Sequence, residues 1–538
     1  MKWELTAEQT RWVEQHLNEM SLEERIGHLL CPSWDMLKPE EWKAILPEIP
    51  VGSMFFADWR TEDLEIGTDM VFRLLRIQPL IAADMESGYK ARTSFPTAMA
   101  CGATNHPEWM ADRGRATARE ARAAGICWSF APNIDIPMNH RNLETLTRAW
   151  SDDPDTIIRM TTPLIKAMQE HDLAATCKHF PGTGVDDRDQ HMCTAINPLP
   201  MDQWMATFGK VWKSAIDQGV MSIMPGHIAL PDYEGKADHP WECLPATLNK
   251  HLLTDLLRRD LGFEGVIVSD AGTMIGFASR VPRERMALDF ILAGGDVYLF
   301  PEVREDFGYL MAAHRRGELT LERINQSVKR VLTMKALLKV SEMPKSAPVP
   351  VEELQQSKEL ATRIAEQSIT IQRSSPAFPA KLKPGSRVLT VTIAPDFGRE
   401  THRTLPMDTI DEELRARGFE VTNMKSPGHE VLRKAIFEYD HIFMNFQTAM
   451  HQVFGNARII DQHAMNFWEA FWYGHDHIVF TSFGSPYHLY ELPHLPNMIL
   501  AYAATTEAQR AAVKVWLGEM VALGKSPITM PKEAGPCL

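Results

Sequence analysis

One pattern recurs from about residue 50 to 300 and limits the fold more than any other feature. A short apolar run ends in one or two polar residues, and a helical stretch follows. The runs are VGSMFFA from Val51, PLIAA from Pro79, CWSFAP from Cys127, LAATC from Leu173, VMSIM from Val220, GVIVS from Gly265 and DVYLF from Asp296. Short apolar runs alternating with amphipathic helices are the signature of βαβ units around a parallel sheet. Seven such units, with an eighth not visible, predict an α/β fold: a (β/α)8-type, TIM-like barrel rather than an open sheet of five or six strands. Helices are expected over 108–124, 250–259 and 321–338. Leucines at 252, 253, 256 and 257 form an apolar stripe on the second, and Ile324, Val328, Val331 and Leu332 one on the third.

Beyond residue 340 the composition shifts. The stretch SEMPKSAPVPV holds three prolines and opens a linker over 341–385 that includes one helix, 352–366. The strand-like runs RVLTVTIA, DHIFMNF and DHIVFTSF then predict a smaller α/β sandwich domain over 386–525. The expected division is a barrel over 1–340, the linker, the second domain, and a loosely ordered tail over 526–538.

Apolar residues at 44% and charged residues at 23% fit a globular chain with a full-sized core. The formal net charge of −14, with no long basic run, argues against nucleic acid as a partner. The first twenty residues are charged throughout, and no apolar stretch approaches the ~18 to 20 residues of a membrane span. A cytoplasmic protein without membrane attachment is expected, its seven scattered cysteines reduced. No Cys/His metal spacing and no HExxH occur, and Gly182-Thr183-Gly184 lacks the GK[ST] of a phosphate loop. Neither metal nor cofactor is expected.

Polar residues gather where the apolar runs end. Asp84 and Glu86 follow the second run, Asn133 and Asp135 the third, and Lys178 and His179 the fourth; His227 closes the fifth, Ser269 and Asp270 the sixth, and Asp296 opens the seventh. A single Asp after a strand is ordinarily a turn or cap residue. Five of six strand ends carrying ionisable groups point instead to an active site, because barrel enzymes build theirs at the C-terminal rim. The segment KHFPGTGVDDRDQHM, residues 178–192, adds a tight, mobile Pro-Gly-Thr-Gly loop and sets Asp189 two residues before His191. A carboxylate beside an imidazole fixes its tautomer and favours its charged form, which makes a proton donor near neutral pH.

That segment resembles the KH(F/I)PGHGxxxxDSH signature of family 3 glycoside hydrolases, in the β-N-acetylhexosaminidase branch. LLRRDLGFEGVIVSDAGTM resembles the family's nucleophile segment, PLIAADMESGYKAR its DQEGGRVxR strand, FAPNIDIP its APxxD strand, TRAWSDDP its RSFGxDP and AGGDVYLF its AGxDxxL. FGSPYHLYELP resembles the carboxy-terminal domain of two-domain members. The resemblance implies a retaining exo-β-glycosidase. Asp270 would be the nucleophile and His191 the acid/base, oriented by Asp189. Asp84, Arg92, Arg148, Lys178 and His179 would bind the hydroxyls of the innermost sugar, with His227 and Asp135 in support. The substrate would be a small or oligosaccharide β-glycoside.

Departures fall on Thr183, Gln190, Met85, Ser87 and Tyr89, so the reaction type is better specified than the sugar. A β-glucosidase-like specificity, or a phosphorylase using the same site, stands beside the hexosaminidase reading, as does a barrel that binds sugar without turnover. A Glu of the second domain is the other source of a proton donor, with Glu430, Glu438 and Glu469 as candidates. Trp59, Trp128 and Trp150 are expected either to stack on sugar or to sit in the core. The second domain is expected to complete the cleft, to stabilise the protein or to form a homo-oligomer.

Overall fold

A computed structural model describes residues 3–57, 61–342, 348–394, 406–447, 477–492 and 495–530. The chain divides into two compact units. One comprises Met1–Ser94, Pro107–Ile136 and Ile157–Ser357; the other comprises Phe95–His106, Pro137–Thr156 and Lys358–Leu538. The boundary expected near 340 falls within the first unit, and two segments from between barrel strands belong to the second.

The first unit contains β1 (Leu30–Cys31), β2 (Ser53–Phe55), β3 (Leu80–Ala83), β4 (Trp128–Ser129), β5 (Ala174–Phe180), β6 (Ala195–Ile196), β7 (Ser222–Pro225), β8 (Ile228–Ala229), β9 (Val266–Ile267) and β10 (Tyr298–Leu299). Six pair in parallel in the order β2-β3-β4-β5-β7-β9, and β1 pairs with β10 in parallel. The two sets join at both ends. Phe55 N donates to Pro32 O at 2.8 Å beside a Ser33–Phe55 bridge, and Ser269 N donates to Val297 O at 3.0 Å beside a Val268–Val297 bridge. The ring of eight parallel strands therefore closes, and β6 and β8 form a separate pair. The unseen eighth strand is β1. It is two residues long and follows directly on the helix Leu22–Gly27, so no apolar run marks it.

Closure buries both faces of each strand, which is why the strands read as unbroken apolar runs. All seven residues of β5 are buried, Lys178 and His179 included. Helices surround the ring at Pro107–Ala123, His251–Asp260 and Leu321–Leu337, within one residue of expectation, and the leucine stripe at 252, 253, 256 and 257 is buried. The turn at the end of His251–Asp260 is wider than α, with Leu261 N donating to Leu256 O.

Asp296 does not join the C-terminal rim. It precedes β10 and lies at the opposite end of the barrel from the other strand-end groups. Its fully buried carboxylate accepts from Arg258 at 2.6 Å, Ile267 N at 2.9 Å, Ser327 at 2.7 Å and Arg330 at 3.0 Å. Burial would raise this carboxyl, but Arg258, Arg330 and Arg323 hold it below its ordinary value. The residue is structural.

The second unit is a six-stranded sheet of β11 (Thr370–Arg373), β12 (Arg387–Ile393), β13 (Glu420–Lys425), β14 (His441–Phe446), β15 (Ile478–Ser482) and β16 (Met498–Leu500), in the order β11-β16-β15-β14-β12-β13. Only the β11–β16 pair is antiparallel. Alternate strand residues bury opposite faces. Leu389, Val391, Met444 and Phe480 face one apolar cluster; Val388, Phe443, Val479 and Ile499 face another with the helices Asp408–Ala416 and Thr506–Trp516. Met99, Ala100, Ala103, Leu146 and Ala149 complete the first cluster, which explains why 95–106 and 137–156 belong to this unit. β11 lies in the stretch expected as linker. The tail is anchored through residue 530, with Ile528 buried and Thr529 N donating to Asp152 at 2.6 Å. Among the described residues the cysteines are free, and no helix is long and apolar enough to cross a membrane.

A buried amine in the barrel unit yields a stability prediction. Lys335, 1% exposed, donates to His28 Nε2 at 2.9 Å, while the other ring nitrogen of His28 donates to Glu24 O at 2.7 Å. Burial pushes the Lys335 ammonium down from 10.5 to about 7. Between those values the unfolded chain holds a proton that the native chain lacks. Stability should therefore rise with pH across that window, by up to ~1.4 kcal/mol per pH unit. Lys335→Met should flatten the rise in urea unfolding measured at pH 7 and pH 9.5; an unchanged slope would contradict the assignment.

Candidate active site

The rim groups of the barrel unit form two connected sets. The first starts at β5, where Lys178 and His179 end a buried strand. Lys178 Nζ, 4% exposed, lies 2.9 Å from both Asp84 Oδ1 and Glu86 Oε1, which follow β3. Glu86 is in turn held through its carbonyl by Arg113, a buried side chain of the helix Pro107–Ala123. Arg113 escaped sequence reasoning; its signal was an arginine on the inward face of an alanine-rich helix.

His179 is oriented by Asp135. The Asp135 carboxylate is fully buried and accepts from His179 Nδ1 at 2.7 Å, His179 N at 3.2 Å, Thr183 N at 2.9 Å and Asn133 Nδ2 at 2.8 Å. His179 therefore carries its proton on Nδ1 and turns Nε2 toward Asp270, 3.8 Å from its Oδ2.

Asp270 follows β9. One oxygen accepts the N–H of Ala271 at 2.8 Å, and among the described residues this is the only hydrogen bond its carboxylate receives. Burial alone would raise the carboxyl. The imidazoles of His179, His227 and His191, with the Ala271 N–H, more than offset it and hold the group below the ordinary carboxylate value. Asp270 is thus anionic yet sparsely bonded, unlike the saturated Asp296. A carboxylate in that condition keeps lone pairs for reaction.

The second set is the loop after β5. Gly182 and Gly184 take φ of +125° and +117°, and a Cβ at 182 would sit 2.1 Å from the Phe208 ring, so this turn requires glycine. The loop is tied down rather than loose. Asn197 Nδ2 donates to Gly182 O at 3.0 Å, and Ile196 N donates to Asp186 at 2.8 Å. At its end Asp189 Oδ1 accepts both the backbone N–H of His191, at 2.8 Å, and its Nδ1, at 2.6 Å. That geometry makes Nε2 the nitrogen able to exchange a proton. Ile275 N donates to His191 O at 3.0 Å, so this loop rests on the loop that Asp270 begins.

Of the other predicted site residues, Arg92 is half-buried in the barrel unit, its Nε buried without a hydrogen-bond partner among the described residues. Arg148 belongs to the second unit, where it donates to Glu144 O at 3.3 Å. Trp128 and Trp150 are 0% and 2% exposed and are core residues, and Trp59 lies outside the described residues. Among the described residues Trp241 is the exposed indole, at 64%, with the Arg188 guanidinium 4.2 Å over its ring. Glu430 and Glu438 are exposed in the second unit, Glu430 paired with its neighbour His429; Glu469 lies outside the described residues.

A closed parallel barrel carrying a sparsely bonded carboxylate and an Asp-oriented imidazole on one rim is an arrangement that suits a glycoside hydrolase, and comparison establishes that class. The particular family follows from comparison. Residues 21–334 match the model of the glycosyl hydrolase family 3 N terminal domain. A β-N-acetylglucosaminidase/β-glucosidase of Cellulomonas fimi is 31% identical over 96% of this chain and 95% of its own length. Two solved structures superimpose along nearly the whole chain. A β-glucoside phosphorylase, BglX, bound to 2FGlc, has a TM-score of 0.87 at 27% identity, covering 98% of this chain and 97% of that one. A family 3 β-N-acetylglucosaminidase from Paenibacillus sp. str. FPU-7 has a TM-score of 0.83 at 25% identity, covering 95% and 99%. The chain belongs to glycosyl hydrolase family 3.

Asp135→Asn tests the support of the rim. The amide keeps the shape but offers one acceptor oxygen and a donor where His179 and Thr183 need acceptors. A loss in kcat/KM of roughly 10²-fold on an aryl β-glycoside is expected, about 2.7 kcal/mol, together with a lower Tm. Unchanged kinetics would show that His179 is not held by this carboxylate.

Proposed function

We propose that this enzyme removes the terminal sugar of a β-glycoside with net retention, by double displacement. The observation that carries the reading is the condition of Asp270, held below the ordinary carboxylate value beside three imidazoles yet accepting a single hydrogen bond among the described residues. In the first step Asp270 attacks the anomeric carbon and forms a glycosyl-enzyme. His191 Nε2 passes its proton to the departing oxygen, and Asp189 stabilises the charge as it changes on the ring. In the second step His191 takes a proton from the incoming acceptor, which displaces Asp270. Asp84, Arg92, Lys178 and His179 bind the sugar hydroxyls. The unsatisfied Arg92 Nε suits this role, since a donor without a protein acceptor is available to a ligand. N-acetylglucosamine is the inner sugar we favour, in keeping with the names of the Cellulomonas and Paenibacillus relatives, and glucose is the alternative.

A second reading has its own support. An imidazole acid/base carries no negative charge to repel an anionic acceptor, so phosphate can replace water in the second step. The likeness to a β-glucoside phosphorylase at full length favours weighing it. Incubation with aryl β-glycosides with and without phosphate separates the two. Free sugar alone fits hydrolysis, and sugar 1-phosphate fits phosphorolysis.

The proton-donor role predicts that His191→Ala loses about 10²- to 10⁴-fold in rate on poor leaving groups and far less on activated aryl ones. Equal losses for both types would exclude His191 as the donor.

A further inference from the structure

Gln190 stands between the two members of the dyad, yet it serves neither. It is 1% exposed, and its Oε1 accepts the backbone N–H of His227 at 2.6 Å. His227 is fully buried. Its Nε2 lies 3.0 Å from Ala271 O and its Nδ1 lies 2.9 Å from Thr247 Oγ1. A carbonyl can only accept, so Nε2 carries a hydrogen. Nδ1 of the neutral ring then accepts from the Thr247 hydroxyl. Burial pushes the His227 imidazolium down to about 4, which agrees with a neutral ring. Ala271, pinned through its carbonyl, uses its own N–H on Asp270.

We propose that Gln190 is a positioning residue: through His227 and Ala271 it joins the loop carrying the proton donor to the backbone that holds the nucleophile. The inference rests on the roles proposed above for Asp270 and His191. Two further observations belong to the same arrangement. The Ile275 N–H bonded to His191 O ties the same pair of loops a second time. A Cβ at Gly226, just past β7, would come within 2.7 Å of Gln190 Oε1, so the glycine leaves room for the acceptor where it stands. The links at Gln190, His227 and Thr247 are buried, so water cannot take their place without reorganisation. The serine of the family pattern that Gln190 replaces is too short for this reach.

The test uses the full chain and four variants. Gln190→Met keeps length and removes the acceptor; Gln190→Glu keeps an acceptor. Gln190→Met should lower kcat on a poor leaving group by about 10- to 100-fold, with KM within about twofold, as expected when an interaction made only in the transition state is lost. Gln190→Glu should recover kcat to within a few-fold of wild type. Thr247→Val, remote from the substrate, should lower kcat about 3- to 10-fold with KM unchanged, and it tests the same chain should Gln190→Met fold poorly. Equal losses for Met and Glu, a change confined to KM, or an unaffected Thr247→Val would each overturn the proposal. His191→Ala is the control for the underlying roles. If it shows no dependence on the leaving group, the failure lies there and not with Gln190.

Discussion

Asp135 is the constraint on which the rim depends. Removing a carboxylate from water costs several kcal/mol unless its oxygens are satisfied, and here four donors from β5, the glycine loop and Asn133 meet that need. Satisfying the charge fixes three things together: the tautomer of His179, the departure of the loop toward His191, and the aim of His179 Nε2 at Asp270. The barrel supplies the frame. Closing eight parallel strands brings the ends of β3, β4, β5, β7 and β9 to one rim, although more than 180 residues separate Asp84 from Asp270.

The two ends of this barrel treat their carboxylates differently. Asp296, among arginines, is saturated with hydrogen bonds and has no capacity left for chemistry. Asp270 is held below the ordinary carboxylate value by imidazoles at a distance, His179 first among them, and accepts one N–H, so most of its acceptor sites stay open. The same side chain is saturated at one end and keeps open acceptor sites at the other because of how many donors reach it.

Much of this was legible in the residues. A strand buried on both faces must be apolar throughout, so seven of eight barrel strands stood out, and the polar residues ending them marked the rim. What escaped has physical reasons. β1 is too short to leave a pattern. Asp296 precedes its strand and so belongs to the far end. An indole suits a core as well as a sugar, and Trp128 and Trp150 proved to be core. The packing of 95–106 and 137–156 with the second unit depends on contacts hundreds of residues apart in sequence. Gln190 read as a departure from a pattern, because its partner, His227 N, is a backbone group that no side-chain motif can reveal.

The central claim is that Asp270 becomes covalently bound to sugar. An activated 2-deoxy-2-fluoro-β-glycoside slows breakdown of a glycosyl-enzyme, so the adduct can be digested and weighed by peptide mass spectrometry. The account predicts one sugar per chain, on the peptide containing Asp270. A label on another carboxylate, or steady turnover of ordinary substrate with inversion and no adduct, would contradict it.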